Sequence, residues 1–126
     1  MTQNGLGNLG EDYACEVLGS LGYEVLERNF RSRFGEIDII AQKENFLCFV
    51  EVKTRGENAM GRPAASVTLS KQRKILKTSE YYITLHQRDI RRQDLQPRFD
   101  CMEVFADADG EPTAYEFIKN AFSANL

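Results

Sequence analysis

Two stretches, Gly35-Glu36-Ile37-Asp38-Ile39-Ile40-Ala41 and Phe46-Leu47-Cys48-Phe49-Val50-Glu51-Val52-Lys53, decide how this chain folds. Each reads as a strand, and the short turn around Glu44-Asn45 joins them as an antiparallel hairpin. With a two-residue loop Lys43 sits opposite Phe46, which places Asp38 directly across from Glu51 and Glu36 across from Lys53. Side chains alternate along a strand, so Glu36 and Asp38 share one face, as do Glu51 and Lys53. The other face carries Ile37, Ile39, Ala41, Phe46, Cys48, Val50 and Val52 and is the expected core. The carboxylate face keeps Ile40 and Phe49 near the turn and becomes polar only at its far end. Glu-Asn is a weaker two-residue turn than Asn-Gly. A four-residue loop would keep this register and a three-residue loop would shift it by one, and the apolar pattern favours the even lengths.

Like charges directly opposite on a sheet destabilise it, and buried ones do so more. A chain that sets Asp38 against Glu51 either exposes both or holds a cation between them. Hard oxygen ligands suit Mg2+, which keeps several waters and binds through one or two carboxylates plus a substrate phosphate. The same spacing also fits an exposed Glu36–Lys53 ion pair with two incidental acids beside it.

Outward from the hairpin, Leu6, Leu9, Tyr13, Ala14, Val17, Leu18 and Leu21 recur at helical spacing, predicting an amphipathic helix over about 7–21 that stops at Gly22. Glu11 borders its apolar stripe and is a candidate site residue; the alternative is a first-turn acid favoured by the helix dipole. Residues 23–30 read as a strand, 55–66 as a loop rich in glycine, proline and small residues, and Thr68 or Ser70 as the cap of a helix reaching about 86. A polar link with Asp89, Arg91, Arg92, Gln93 and Asp94 leads to a strand at 98–106, a turn at Asp107–Gly110 and a short last strand at 114–118. The order α-β-β-β-α-β-β indicates an α/β sandwich, a mixed central sheet flanked by helices. One domain over 1–126 is expected, with 1–6 a flexible lead-in and 119–126 a C-terminal tail. Gly5, Gly7 and Gly10 match a dinucleotide-binding pattern, but with no room for a preceding strand that pattern carries no function.

The chain has 126 residues, 42% hydrophobic and 28% charged, an ordinary globular composition. No apolar run spans a membrane and no secretion signal opens the sequence, so a cytoplasmic protein with no membrane partner is expected. Cys15, Cys48 and Cys101 lack metal-site spacing and read as reduced buried thiols, and His86 is the single histidine, read as helix-terminal. The net charge of −3 does not advertise nucleic-acid binding, but its distribution is uneven. Residues 71–92 carry Lys71, Arg73, Lys74, Lys77, Arg88, Arg91 and Arg92 against Glu80 and Asp89, while residues 94–126 are acidic. A basic helix beside an acidic metal site could gather phosphates; it could equally be a solvated face.

Taken together, Gly10-Glu11, Gly22-Tyr23, Arg28-Asn29, Gly35-Glu36-Ile37-Asp38, Phe49-Val50-Glu51-Val52-Lys53-Thr54-Arg55, Lys71 and Arg98-Phe99-Asp100 resemble the YraN-like family of predicted endonuclease-related bacterial proteins, over about 7–118. The resemblance implies a restriction-endonuclease-like three-layer sandwich related to Holliday junction resolvases. It also implies an Asp…Glu-x-Lys nuclease site on Asp38, Glu51 and Lys53, with Glu11 as the helix-borne acid that completes such sites. On that reading Asp38, Glu51 and the Val52 carbonyl hold Mg2+ (or Mn2+), and Glu11 binds a second ion or a water. Lys53 orients the attacking water or meets the developing charge, Glu36 supports the site, and Arg55, Lys71 and Lys74 hold phosphates. The partner would be DNA, branched DNA among its forms, and a homodimer would fit the resolvase relationship. The rival is a non-catalytic DNA binder that keeps the fold. The loop at Met60-Gly61-Arg62-Pro63 departs most from the family pattern, which bears on substrate contacts.

Overall fold

A computed structural model describes residues 8–63 and 67–123; the expectation of a flexible 1–6 lies outside them. Helix α1 (Leu9–Ser20) is followed by strands β1 (Glu24–Ser32), β2 (Gly35–Lys43) and β3 (Phe46–Gly56), a 3-10 turn at Glu57–Ala59, and helix α2 (Leu69–Leu85). Helix α3 (Gln87–Gln93) and strands β4 (Gln96–Ala106) and β5 (Pro112–Phe122) complete the chain. The five strands lie in sequence order, antiparallel except for β3 against β4, which α2 and α3 connect in parallel. The mixed sheet with helices on both faces is the expected α/β three-layer sandwich.

Each face of the sheet has its own core. Ala14, Val17 and Leu18 of α1 pack on Ile39, Ala41, Cys48, Val50, Met102 and Val104. Ile75 and Tyr82 of α2 pack on Ile37, Ile40, Leu47, Phe49 and Phe99. With apolar residues required on both faces, β2 and β3 read as nearly continuous hydrophobic runs, as central strands do. Phe49 stacks on Phe99 at 5.5 Å and meets the edge of Tyr82 at 6.0 Å, tying β3 and β4 to α2. The Thr68 hydroxyl, not Ser70, caps α2 by accepting from the Lys71 N–H at 3.2 Å. Cys15, Cys48 and Cys101 are free thiols. Among the described residues no helix is long and apolar enough to cross a membrane.

Most strands run a residue or two past their expected ends, and three differences are larger. Residues 87–93, expected as a polar link, form α3, because Asp94 takes a left-handed conformation and lets the Leu95 N–H close back on the Ile90 carbonyl at 3.0 Å. Strand β3 continues through Gly56, paired with β4 along its whole length, where a loop was expected from residue 55. Strand β5 runs to Phe122, taking in residues 119–122 of the expected tail, because Phe122 stacks on Phe99 at 5.3 Å.

Candidate functional site

The hairpin register is the predicted one from Lys43–Phe46 to Ile39–Val50, with Glu44 in the left-handed region that a two-residue turn requires. The ladder then stops. At the next rung, Asp38 and Glu51, the strands no longer exchange backbone bonds; the Val52 N–H instead donates to Asp38 Oδ2 at 2.8 Å. The expected Glu36–Lys53 rung is therefore not formed, and Glu36 lies across from Arg31 of β1 with 3.8 Å between their charged groups.

The cause sits on β1. Asn29 has φ 52°, so the strand turns over between Arg28, which reaches Asp12 of α1, and Phe30, which packs on Tyr82 of α2. Arg28 pairs with Ile39 and Phe30 with Ile37, so β2 turns over at Asp38, the residue between them. Ile37 consequently packs on the α2 side and not with Ile39, which corrects the predicted core face. Paired irregularities at Asn29 and Asp38 open the sheet at the position where the acids gather.

Asp38 and Glu51 line a cleft of about 440 Å3 together with Glu36, Lys71 and Lys74, floored by Gly35 and Ile75 and edged by Thr68 and Ser70. Glu51 is 4% exposed and takes an ion pair from Lys71 Nζ. Burial pushes the Asp38 carboxyl up to about 7; the facing Glu51 adds to the shift and Glu11 adds a little more, while the Val52 N–H works against it. The Lys71 ammonium is held above its ordinary value by the hydrogen bond to Glu51. Two carboxylates in one half-buried cleft, with an ammonium on one of them, form a site that calls for positive charge.

Glu11 stands apart from the cleft lining. Its Oε1 accepts from Asn29 Nδ2 at 3.1 Å and lies 3.7 Å from Arg28 Nη2. It approaches the sheet because Gly10 does: a Cβ on Gly10 would lie 2.1 Å from Thr54 Oγ1, so only glycine lets α1 settle on β3 there. The conformation of Asn29 thus opens the strand and its amide holds Glu11. The sequence contained the Arg28-Asn29 pair but no periodicity that would assign it a role. Among the described residues, no three His, Cys, Asp or Glu side chains are arranged to hold one ion.

Lys53 is half-buried and follows Glu51 on the same face of β3, in register with Glu103 of β4. Arg55, expected to hold phosphate, instead bonds Glu103 at 2.8 Å and lies 5.7 Å from the Phe105 ring. Glu103 is fully buried, as is Asp100, which takes three bonds from Arg98. Neither burial is legible in the sequence, where both acids lie in the expected strand at 98–106 within an acidic stretch.

The model of the Uncharacterised protein family UPF0102 matches residues 10–104. A UPF0102 protein of Dictyoglomus turgidum is 44% identical over 122 residues, 97% of this chain and all of the relative. One of Caldicellulosiruptor saccharolyticus is 43% identical over the same shares, and one of Clostridium botulinum is 41% identical over 93% of each chain. Nearly every residue named above, from Gly10 at the start of α1 to Glu103 near the end of β4, falls inside the matched span, and the chain belongs to the UPF0102 family, the YraN family its motifs resemble.

Proposed function

We propose that this protein is a metal-dependent endonuclease that hydrolyses DNA phosphodiesters. The observation that carries the reading is the buried Glu51 beside the half-buried Asp38 in an open cleft edged by Lys71 and Lys74. A pair of acids kept in such a place, with one carboxyl raised to about 7, is costly to the fold unless it serves a ligand. The donors are all hard oxygens, which fit Mg2+ or Mn2+; Asp38, Glu51 and the Val52 carbonyl would hold the ion, with Glu11 behind them. An ion there would supply Lewis-acid polarisation of a phosphate and an activated water at neutral pH.

The protein's own groups have distinct tasks. Asp38 is anchored by the Val52 N–H and turned toward the facing Glu51, so the carboxyl is held in one orientation at the cleft. Lys71 neutralises Glu51 and, being 49% exposed at its side chain, can exchange that carboxylate for a phosphate. Lys74 gives the same cleft a second cation. Lys53 follows Glu51 on the strand and orients the attacking water or meets charge on the phosphate oxygens. Arg55 acts through Glu103 and steadies the β3–β4 pairing beside Lys53.

The Lys71–Glu51 ion pair also favours a second reading, a DNA-binding protein whose acids are compensated internally. Incubation with duplex, single-stranded, flapped and four-way-junction DNA, with and without Mg2+ or Mn2+, separates the two. Metal-dependent cutting that is lost in Glu51→Ala supports the nuclease; salt-sensitive binding without cutting in either protein supports the binder.

A further inference from the structure

Beside the acidic cleft lies a second recess of about 360 Å3, lined by Arg31, Ser32, Arg33, Phe34 and Tyr81. The size is within the ~300–1,000 Å3 range of pockets that take small ligands. Two aromatic rings among cations are the chemistry that receives a nucleobase and its phosphates. Tyr81 is 45% exposed although it lies on α2, with its ring packed 6.0 Å from Phe30. Two cations lie over the Phe34 ring, Arg33 at 5.0 Å and Lys77 at 5.3 Å from its centre.

The recess is held in shape before any ligand arrives. Ser32 Oγ and Thr78 Oγ1 are hydrogen bonded at 2.9 Å, and the Phe34 N–H donates to Ser32 Oγ at 3.0 Å. A Cβ on Gly35 would lie 3.4 Å from Lys74 Cβ, so the β1–β2 turn rests directly on α2. The recess also joins the cleft. Gly35 and Glu36 at the start of β2 and Lys74 of α2 line the cleft, and Lys74, Lys77 and Tyr81 follow one another along a single face of that helix.

We propose that this recess is a subsite for one unpaired DNA base, next to a phosphate held in the Asp38–Glu51 cleft. The inference rests on the nuclease reading and deepens it, naming DNA with unpaired nucleotides (a flap, fork or single-stranded end) as the substrate class. A base in continuous duplex is stacked on both sides and cannot reach a ring wall, whereas an unpaired base can. Arg31 and Arg33 would meet the phosphates on either side of it, which is the salt-sensitive part of binding.

The test uses the Glu51→Gln protein without divalent ions, so that binding is read apart from cutting. Anisotropy would compare a duplex, the same duplex with a single-stranded flap, and that flap with abasic sites at its unpaired positions. The flap should bind most tightly. Tyr81→Leu and Phe34→Leu should each weaken flap binding by about tenfold while leaving duplex and abasic flap unchanged, and Tyr81→Phe should restore it. Equal loss on duplex and flap, or no loss on either, would overturn the subsite. Because Tyr81 is exposed, an unchanged melting temperature separates lost stacking from lost fold. Absence of DNA binding by every form would overturn the nuclease reading along with it, whereas metal-dependent cutting by wild-type protein that is indifferent to Tyr81 would overturn the subsite alone.

Discussion

The Val52 N–H donates to Asp38 Oδ2 at 2.8 Å, just beyond the last regular rung of the β2–β3 hairpin. A carboxylate has taken the place of a strand partner, and the sheet is open there. The bond favours the ionised acid, but burial and the facing Glu51 outweigh it and leave Asp38 titrating near 7.

That balance predicts a pH-dependent stability. The folded-state value of Asp38 lies above the ordinary 3.8, so its contribution is fully present below about pH 4 and is lost as pH rises toward 7. The loss runs through that window and flattens above it. Asp38→Asn removes the titration while its side-chain oxygen can still accept from Val52. Its advantage in melting temperature over wild type, measured without divalent ions, should therefore grow from pH 5 to pH 7 and then level off. A constant or shrinking difference would mean that Asp38 is not held in its neutral form.

Lys71 is the cation closest to this pair, since it bonds Glu51 directly. Lys71→Met should leave Glu51 buried beside Asp38 without its bonded counter-charge and destabilise the protein by about 1–2 kcal/mol, less than a fully buried pair would lose because Lys71 is half exposed. Added Mg2+ should raise the melting temperature of this variant more than that of wild type. If Mg2+ shifts neither protein, the acids do not bind the ion.

Lys53 tests the chemistry separately from the fold. Lys53→Ala should lower cleavage at least about a hundredfold and move the melting temperature by little, because the side chain is only half-buried. Cleavage at the wild-type rate would remove it from the site.

Asn29 combines two functions that substitution can divide. Asn29→Gly keeps the left-handed backbone and deletes the bond to Glu11, so it should fold normally and cut more slowly. Asn29→Ala should add a backbone cost of about 1–2 kcal/mol. Equal activity in wild type and Asn29→Gly would leave Glu11 without a positioning partner that matters.

The residues that could be read from the sequence were those whose position follows from alternation and a short turn. Lys43 and Phe46 flank a two-residue loop, so every rung to Ile39–Val50 follows, and Asp38 and Glu51 fall on neighbouring strands at the end of it. Ile37 did not follow, because alternation fails where Asn29 turns β1 over, and a left-handed asparagine is not distinguishable in sequence from one in a regular strand. The family resemblance puts Arg55 at a phosphate, but its bond to Glu103 could not be read, because the burial of that acid depends on where β4 pairs. Helix α3 escaped notice because seven residues with Ile90 as their one large apolar side chain carry no periodicity, and its closure depends on Asp94.

Gly10 shows how a residue can match one motif and serve another purpose. The glycine pattern of the N-terminus matches a nucleotide loop only in spacing, and Gly10 is buried in α1, where a Cβ would lie 2.1 Å from Thr54 Oγ1 and 3.5 Å from Thr54 Cβ. The first distance is a clash and the second an ordinary contact, so the hydroxyl alone forbids alanine. Gly10→Ala should cost about 1–3 kcal/mol, the usual penalty for overpacking, and should also lower activity by moving Glu11, its neighbour on the helix. Thr54→Ala removes the obstructing oxygen, so Gly10→Ala with Thr54→Ala should recover most of both losses, with a coupling energy of about 1 kcal/mol or more in a double-mutant cycle. Additive effects in chemical denaturation would mean that α1 relaxes away from β3, and that Gly10 does not set the distance between Glu11 and the sheet.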